Sequence, residues 1–280
     1  MTNFPYKRII SYGCSLTAGT ELLDHAVLNM TENEFVEFLK KNKISSIPEF
    51  FSYLKDNFSY DEITSKMFQL NASASWPNFI AKHFSVPHVN QAVPGSSVSH
   101  TAYKILKDLA SSQIEETDLV LVGITSPSRW FQFLEDGDEA WGVFGIGWNM
   151  RFKVEYQKQL EKHWFNAYNI IYSHFKEITF LSDLSDRLGG RIKLCYAFAG
   201  PEYLKYFFEE DLQNSRFSDF FNFSVDMCPT HNFLDTTASI SNLAGWRKDS
   251  THHVFGHPKI QFHEQFANIL IEKMEKMYND

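Results

Sequence analysis

The hydrophobic positions along the chain fall into two alternating patterns. Short apolar runs predict four strands, at residues 8–12, 87–93, 118–125 and 191–199. Apolar residues at helical spacing predict helices between these runs and a last helix at 259–278. Strands that alternate with helices are typical of a parallel sheet with right-handed crossovers. The order of elements therefore predicts an α/β protein, with residues 1–280 forming a single domain.

Four further segments do not follow a simple alternation of one strand with one helix. Residues 24–75 contain short amphipathic helices, and we interpret them as a helical insertion that caps the strand ends. Residues 136–149 are rich in Gly and aromatic residues and predict a loop, and residues 151–176 predict a long helix. The segment at about 200–248 is interpreted as an irregular, aromatic-rich insertion. Ser99 is a plausible N-cap for the helix that follows the second strand.

Composition excludes several classes of protein. The chain has 280 residues, of which 44% are hydrophobic, and this suffices for a sizeable core. A net charge of −8 argues against a nucleic-acid partner, which usually needs a basic surface. The three cysteines fit neither a disulfide framework nor a zinc site. No signal peptide and no run of about 18 apolar residues is present, so we expect a cytoplasmic or virion-associated protein with no membrane partner. The oligomeric state is left open.

One serine stands where an α/β protein presents a side chain for chemistry. The apolar run at 8–12 ends at Gly13, and Ser15 follows in the turn. Gly13 allows the chain to turn sharply where a side chain would collide. Ser15 is then either a nucleophile or an ordinary N-cap serine, which is common in such turns.

Two further strand ends and one histidine-rich loop carry suggestive residues. Gly95 follows the second strand and Thr125 ends the third. Ligands of open parallel sheets bind outside the carboxyl ends of the strands. The stretch at 249–258 supplies imidazole, with His257 placed just before the last helix. A serine hydroxyl needs such a base within hydrogen-bond reach to attack a carbonyl.

These four patches resemble, in order, the four sequence blocks of SGNH/GDSL hydrolases. Residues 13–16 (GCSL) are similar to the GDSL block, and residues 90–95 (NQAVPG) resemble the second block. Residues 123–126 (GITS) stand where the family has G-x-N-D, and His257-Pro258 resembles the last block. The blocks match the family pattern only in part, as they do in divergent members such as phage-encoded ones.

The resemblance implies a fold and a mechanism. The implied fold is a three-layer α/β/α sandwich with a short, mainly parallel, flavodoxin-like sheet. The implied activity is ester hydrolysis with Ser15 as nucleophile and His257 as base. The Ser15 and Gly95 N–H groups and the Thr125 hydroxyl would hold the oxyanion. No cofactor and no metal are implied.

The chain departs from the family pattern at four positions, and one of them is Phe262, which stands where the last block has glycine. Cys14 replaces the acid of the first block, and Thr125 replaces the oxyanion-hole asparagine. Val254 occupies the place, three residues before His257, where the family has its acid. Asp249 is the nearest candidate for the missing acid. A Ser–His dyad oriented by a backbone carbonyl is equally open.

Residues outside the four patches offer weaker indications about the ligand. Arg129 and Trp130 could clamp an acidic or sugar substrate, or form a purely structural stack. His252 and His253 could suggest a metal site with His257, but neither a close carboxylate pair nor a Cys pattern supports zinc.

Three functions are therefore carried forward. The first is a serine esterase that acts on small acyl esters, of which O-acetyl esters on a carbohydrate are favoured. The second is a non-catalytic carbohydrate-binding or virion/assembly protein, and the third is an O-acyltransferase. The preference for carbohydrate rests on aromatic residues in the insertions, namely Phe50, Phe51, Trp141 and Trp148.

Overall fold

The structure is a computed structural model, and its strands and helices are bounded as follows. It describes residues 4–127, 129–133, 139–143, 148–149, 166–198, 200, 204–205, 208–245 and 251–279. The strands are β1 (Arg8–Gly13), β2 (His88–Asn90), β3 (Asp118–Ile124), β4 (Arg129–Phe133), β5 (Glu139–Val143), β6 (Trp148–Asn149), β7 (Ile192–Tyr196) and β8 (Phe233–Ser239). The helices are α1 (Ser15–Ala18), α2 (Asp24–Val27), α3 (Glu32–Lys41), α4 (Ile47–Asn57), α5 (Tyr60–Ser73), α6 (Trp76–His83), α7 (Val98–Ala110), α8 (Ala167–Arg187), α9 (Ser215–Asp226), α10 (Ile240–Ala244) and α11 (Ile260–Asn279).

Five strands form one parallel sheet in the order β2-β1-β3-β7-β8. Numbered along the chain as the first to fifth strands of this sheet, they lie in the order 2-1-3-4-5, which is the flavodoxin-like arrangement. The predicted α/β class and parallel sheet are confirmed. The strand order reverses beside β1, which lies between β2 and β3. The loops after these three parallel strands therefore meet at the carboxyl ends of the strands.

Helices cover both faces of this sheet because its strands are apolar on both sides. Ile9 of β1 packs with Trp76 of α6 and Phe266 of α11. The next residue, Ile10, points to the opposite face and packs with a cluster that includes Ile105 of α7. These two cores make the three-layer sandwich that the sequence predicted. Within the described residues, no helix is both long enough and apolar enough to cross a bilayer.

The helices α2 to α5 lie in the segment expected to cap the strand ends, and they have a small core of their own. Phe35, Leu39 and Leu54 are buried in this core. Phe50 is only 1% exposed and its ring lies 6.2 Å from that of Phe255, in the segment before α11. Phe50 therefore serves packing, and its expected role as part of an aromatic platform for sugar is wrong.

Two segments hold more regular structure than their sequences indicate. Residues 139–143 and 148–149, expected to lie in a loop, form β5 and β6 of a small antiparallel sheet with β4. The segment expected to be irregular, at about 200–248, contains α9, α10 and β8, the fifth strand of the main sheet.

Two helix boundaries also differ from those expected. The N-cap of α7 is Ser97, whose side chain accepts from the His100 N–H, so the expected cap at Ser99 is wrong. The long helix expected at 151–176 is described only from Ala167, and it continues to Arg187. Residues 151–165 lie outside the described residues.

The helix α1 packs so closely on the centre of the sheet that two positions beneath it must be glycine. Gly13 of β1 and Gly123 of β3 are register partners, and the Thr17 side chain of α1 lies over both. A Cβ at Gly123 would overlap Thr17 Oγ1 and would lie 2.9 Å from Ala197 Cβ. This contact seats the first turn of α1, and with it Ser15, against the ends of the strands.

We expect Gly123→Ala to lower the free energy of unfolding by about 1–3 kcal/mol, because the new methyl group has no room beside Thr17. Urea titration of the purified variant measures the change. Gly200→Ala is the matched control, since the atoms nearest its added Cβ lie at 3.5 Å, an ordinary contact. Equal midpoints for the two variants would show that the close approach is not a constraint.

Candidate active site

Ser15 is the first residue of the short helix α1 and does not cap it. The N-cap is Cys14, which makes no side-chain capping hydrogen bond. The Ser15 carbonyl accepts from the Gly19 and Thr20 N–H groups, which closes the turn after the helix. The Ser15 hydroxyl makes no hydrogen bond to any described residue. The serine therefore has no capping role to explain it, and its hydroxyl remains available for chemistry.

The loop after β2 places Gly95 beside the same turn. The Val93 N–H donates to the Gly13 carbonyl at 2.9 Å, which continues the β1–β2 pairing beyond the strand. The Ser96 N–H donates to the Val93 carbonyl at 3.0 Å, so Pro94 and Gly95 are the central residues of a turn. Gly95 has φ +83°, as the second central residue of a type II turn requires. Its backbone can approach a ligand closely, as expected of an oxyanion donor.

The Thr125 hydroxyl is buried without a partner. Thr125 follows β3 directly and is 1% exposed, and its Oγ1 makes no hydrogen bond within the described part of the chain. Buried hydroxyls are nearly always satisfied, because an unmade hydrogen bond costs about 1–3 kcal/mol. A donor left unsatisfied at the end of β3, the strand paired with β1 as far as Gly13, fits the expected oxyanion position.

His257 is held by a carboxylate that the sequence analysis did not identify. Glu21 is 2% exposed, and its Oε2 lies 3.2 Å from His257 Nδ1. The same oxygen accepts from the His257 backbone N–H at 3.3 Å, and Oε1 accepts from the Phe255 N–H at 2.5 Å. A carboxylate at Nδ1 favours the tautomer that carries its proton there, which leaves a lone pair on Nε2. In this tautomer the His257 ring can accept a proton at Nε2.

The loop that carries His257 is a tight hairpin-like turn. His252 and Pro258 form an isolated antiparallel bridge, and the His253 N–H donates to the His257 carbonyl at 2.8 Å. The Gly256 N–H donates to the His253 carbonyl at 3.0 Å. These bonds, together with Glu21, fix the backbone of His257 immediately before α11.

Three of the expected site residues, Ser15, Gly95 and Thr125, follow the parallel strands β1, β2 and β3, so they lie at the carboxyl ends of neighbouring strands. His257 pairs with Glu21, which is six residues after Ser15 in the chain. Ser15 and His257 form no direct hydrogen bond. Catalytic hydrogen bonds are often long in unliganded enzymes and tighten when substrate binds.

The acid beside His257 is Glu21, where the sequence suggested Asp249. Asp249 lies outside the described residues. No spacing rule could have revealed Glu21, because the two partners are 236 positions apart in the chain. Only the turn that closes on the Ser15 carbonyl brings this carboxylate to the ring.

The remaining candidates have structural partners of their own. Arg129 Nη1 donates to the Ser96 carbonyl at 3.3 Å, and the side chain of Trp130 lies outside the described residues. His252 Nδ1 lies 2.8 Å from Thr251 Oγ1. Among the residues that the structure describes, no group of three or more His, Cys, Asp or Glu side chains is arranged to hold a metal ion.

Comparison with known proteins gives structural likenesses only. No protein-family model and no curated protein matches the chain. A structure titled TesA has a TM-score of 0.47 and 10% identity, and covers 96% of this chain and 99% of its own. A psychrotrophic esterase EstA from Pseudoalteromonas sp., inhibited by monoethylphosphonate, has a TM-score of 0.46 and 10% identity over 98% and 100% of the two chains. A member of the lipolytic protein G-D-S-L family from Veillonella parvula has a TM-score of 0.44 and 10% identity over 95% and 96%.

A second buried carboxyl group lies beside Glu21. Asp24 is 4% exposed, and Asn71 Nδ2 donates to its Oδ1 at 2.5 Å. Burial raises the pKa of Asp24 to about 6, and the Glu21 carboxylate adds to this increase. In the folded protein Asp24 therefore takes up a proton more readily than in the unfolded chain.

A raised carboxyl pKa stabilises the fold at low pH, and this contribution is lost as the pH rises through about 6. We expect Asp24→Asn to remove that pH dependence. Relative to the unaltered protein, the variant should gain on the order of 3 kcal/mol between pH 4 and pH 7, from a shift of about two units. Urea unfolding across this range measures the gain.

Asp186→Asn is a control, because the stability that Asp186 contributes should change with pH in the opposite direction. Hydrogen bonds from Asn232 and His231 lower the pKa of the exposed Asp186, so its contribution to stability is lost as the pH falls. A stability difference for Asp24→Asn that stays constant from pH 4 to pH 7 would contradict the raised pKa.

Proposed function

We propose that the chain is a serine esterase, a divergent member of the SGNH/GDSL hydrolases, with Ser15, His257 and Glu21 as its catalytic triad. The observation that carries the proposal is the Glu21–His257 pair. A buried carboxylate fixes a histidine ring through Nδ1, and the same turn of the chain presents a hydroxyl without a partner. Nucleophile, base and orienting acid are the three roles that ester hydrolysis by a serine requires.

The reaction follows from these roles. His257 Nε2 takes the proton of the Ser15 hydroxyl as its oxygen attacks the acyl carbonyl. Glu21 stabilises the imidazolium that forms. The Ser15 and Gly95 N–H groups and the Thr125 hydroxyl hold the oxyanion of the tetrahedral intermediate. The imidazolium then protonates the leaving alcohol, and water, activated by the same ring, hydrolyses the acyl-serine.

The substrate we favour carries a small acyl group such as acetyl. Ser99 and Ser126, which closely follow Gly95 and Thr125 in the sequence, line a small cavity with their polar side chains. This lining suits a short acyl chain on a hydroxylated alcohol, such as a sugar, better than a long lipid. Transfer of the acyl group to a sugar hydroxyl would use the same first half-reaction, and product analysis with and without an acceptor sugar separates the two outcomes.

Ser15→Ala is expected to abolish p-nitrophenyl acetate hydrolysis and labelling by a fluorophosphonate, because both need the hydroxyl. Mapping of the labelled peptide by mass spectrometry identifies the modified residue. Ser65→Ala, at an exposed serine of α5, should behave as the unaltered protein does. Equal hydrolysis by the two variants would leave a non-catalytic binding protein as the better description.

The Glu21→Gln variant tests whether Glu21 is the acid of the triad. The amide cannot stabilise the imidazolium, so kcat for p-nitrophenyl acetate should fall on the order of 10²–10⁴-fold while KM changes little. Glu32→Gln is the matched control, since Glu32 binds Lys259 on the same loop and does not hydrogen-bond the His257 ring. Urea midpoints for both variants separate a chemical defect from an unfolded protein. A kcat unchanged by Glu21→Gln would remove Glu21 from the triad.

A further inference from the structure

A small cavity lies next to the loops that carry Gly95 and Thr125. It has a volume of about 120 Å³ and is bounded by the start of α7, the segment that follows β3 and one face of α8. Ser126 and Arg129 form one wall, Ser99 another, and His174 and Glu177 a third. We call this cavity the β3–α8 pocket. Its volume suits a few water molecules or one small polar group, since a water molecule in the liquid occupies about 30 Å³.

Two nitrogens at the walls of the pocket are buried and lack a hydrogen-bond partner in the described structure. They are Arg129 Nε and His174 Nε2, and His174 is only 5% exposed. The Arg129 guanidinium makes one hydrogen bond, to the Ser96 carbonyl, and no carboxylate of the described residues forms an ion pair with it. Most buried polar atoms are hydrogen-bonded and an unmade bond is costly, so these two nitrogens are candidates for contact with a ligand.

The side chains that line the pocket favour a singly charged carboxylate over a doubly charged phosphate. A guanidinium presents N–H groups in a planar fork that matches the two oxygens of a carboxylate. Burial lowers the pKa of His174 to about 4, so its ring is neutral and offers a hydrogen bond without a second positive charge. Glu177 also faces the pocket, and its negative charge would repel a phosphate more strongly than a singly charged group.

The pocket adjoins the expected oxyanion donors. Ser126 directly follows Thr125, and Ser99 is four residues after Gly95. Two walls of the pocket therefore come from residues that closely follow the expected oxyanion donors in the same two loops. We propose that the β3–α8 pocket binds a carboxylate of the substrate, so that Ser15 acts on esters that carry a free carboxylate. This inference rests on the proposed function and names its substrate class.

The test compares two aryl acetates that differ only in charge. 4-Acetoxybenzoate carries a carboxylate, and 4-acetoxybenzamide replaces it with a neutral amide of the same shape. Release of the phenol is followed by absorbance. We expect KM for the carboxylate to be about tenfold lower than for the amide, as one charge-assisted contact would give.

Three variants locate the preference. The measured quantity is the KM for the amide divided by the KM for the carboxylate. Arg129→Gln should lower this ratio to about one. Glu177→Gln should raise it, since a charge that repels the carboxylate is removed. Arg187→Gln changes an exposed arginine at the far end of α8 and should leave the ratio as it is. A ratio near one in the unaltered protein, or a ratio that Arg129→Gln and Glu177→Gln both leave unchanged, would overturn the proposal.

Calorimetry with the Ser15→Ala protein separates this inference from the proposed function. If 4-acetoxybenzoate binds this variant and Arg129→Gln abolishes the binding, the pocket is supported even where no ester is hydrolysed. If hydrolysis depends on Ser15 but neither KM nor binding distinguishes the two acetates, the esterase stands and the carboxylate pocket fails.

Discussion

The Glu21 carboxylate is the constraint on which the site depends. It is buried, and it accepts three hydrogen bonds, from the Phe255 and His257 backbone and from the His257 ring. A buried carboxylate is tolerated only when such donors replace water, so the loop before α11 and the turn after α1 stabilise each other. Loss of the loop's donors would leave a buried charge without hydrogen bonds. Glu21 and His257, 236 positions apart, thus join the two ends of the chain.

A second constraint fixes the position of Ser15. The Thr17 side chain lies over Gly13 and Gly123, so α1 begins as close to the sheet as the backbone allows. The helix starts immediately after the strand, and Ser15 follows the bend at Gly13, where φ is +144°. The position of the Ser15 hydroxyl is thus set by packing against the sheet and not by hydrogen bonds of its own.

How far the sequence could predict this structure depended on the apolar content of each element. β3 and α11 were predicted closely, since β3 is buried along its whole length and α11 has an apolar stripe. β8 was missed because polar residues fill the second half of its sequence, FLDTTAS, as is common in an edge strand. At the site, Ser15, Gly95 and Thr125 follow strand ends and could be found. Glu21 could not, because its pairing with His257 is visible only after folding.

The location of the acid has a mechanical consequence. Glu21 and Ser15 belong to one short segment, joined by the bond from the Thr20 N–H to the Ser15 carbonyl, while His257 lies on a separate loop. A displacement of that loop would change the distances from His257 to Ser15 and to Glu21 together, whereas an acid on the histidine loop would move with the ring. Phe255 of the same loop packs against the helices α2 to α5. Packing of these helices on Phe255 therefore helps to hold the His257 imidazole against Glu21, which lies in the same short segment as Ser15.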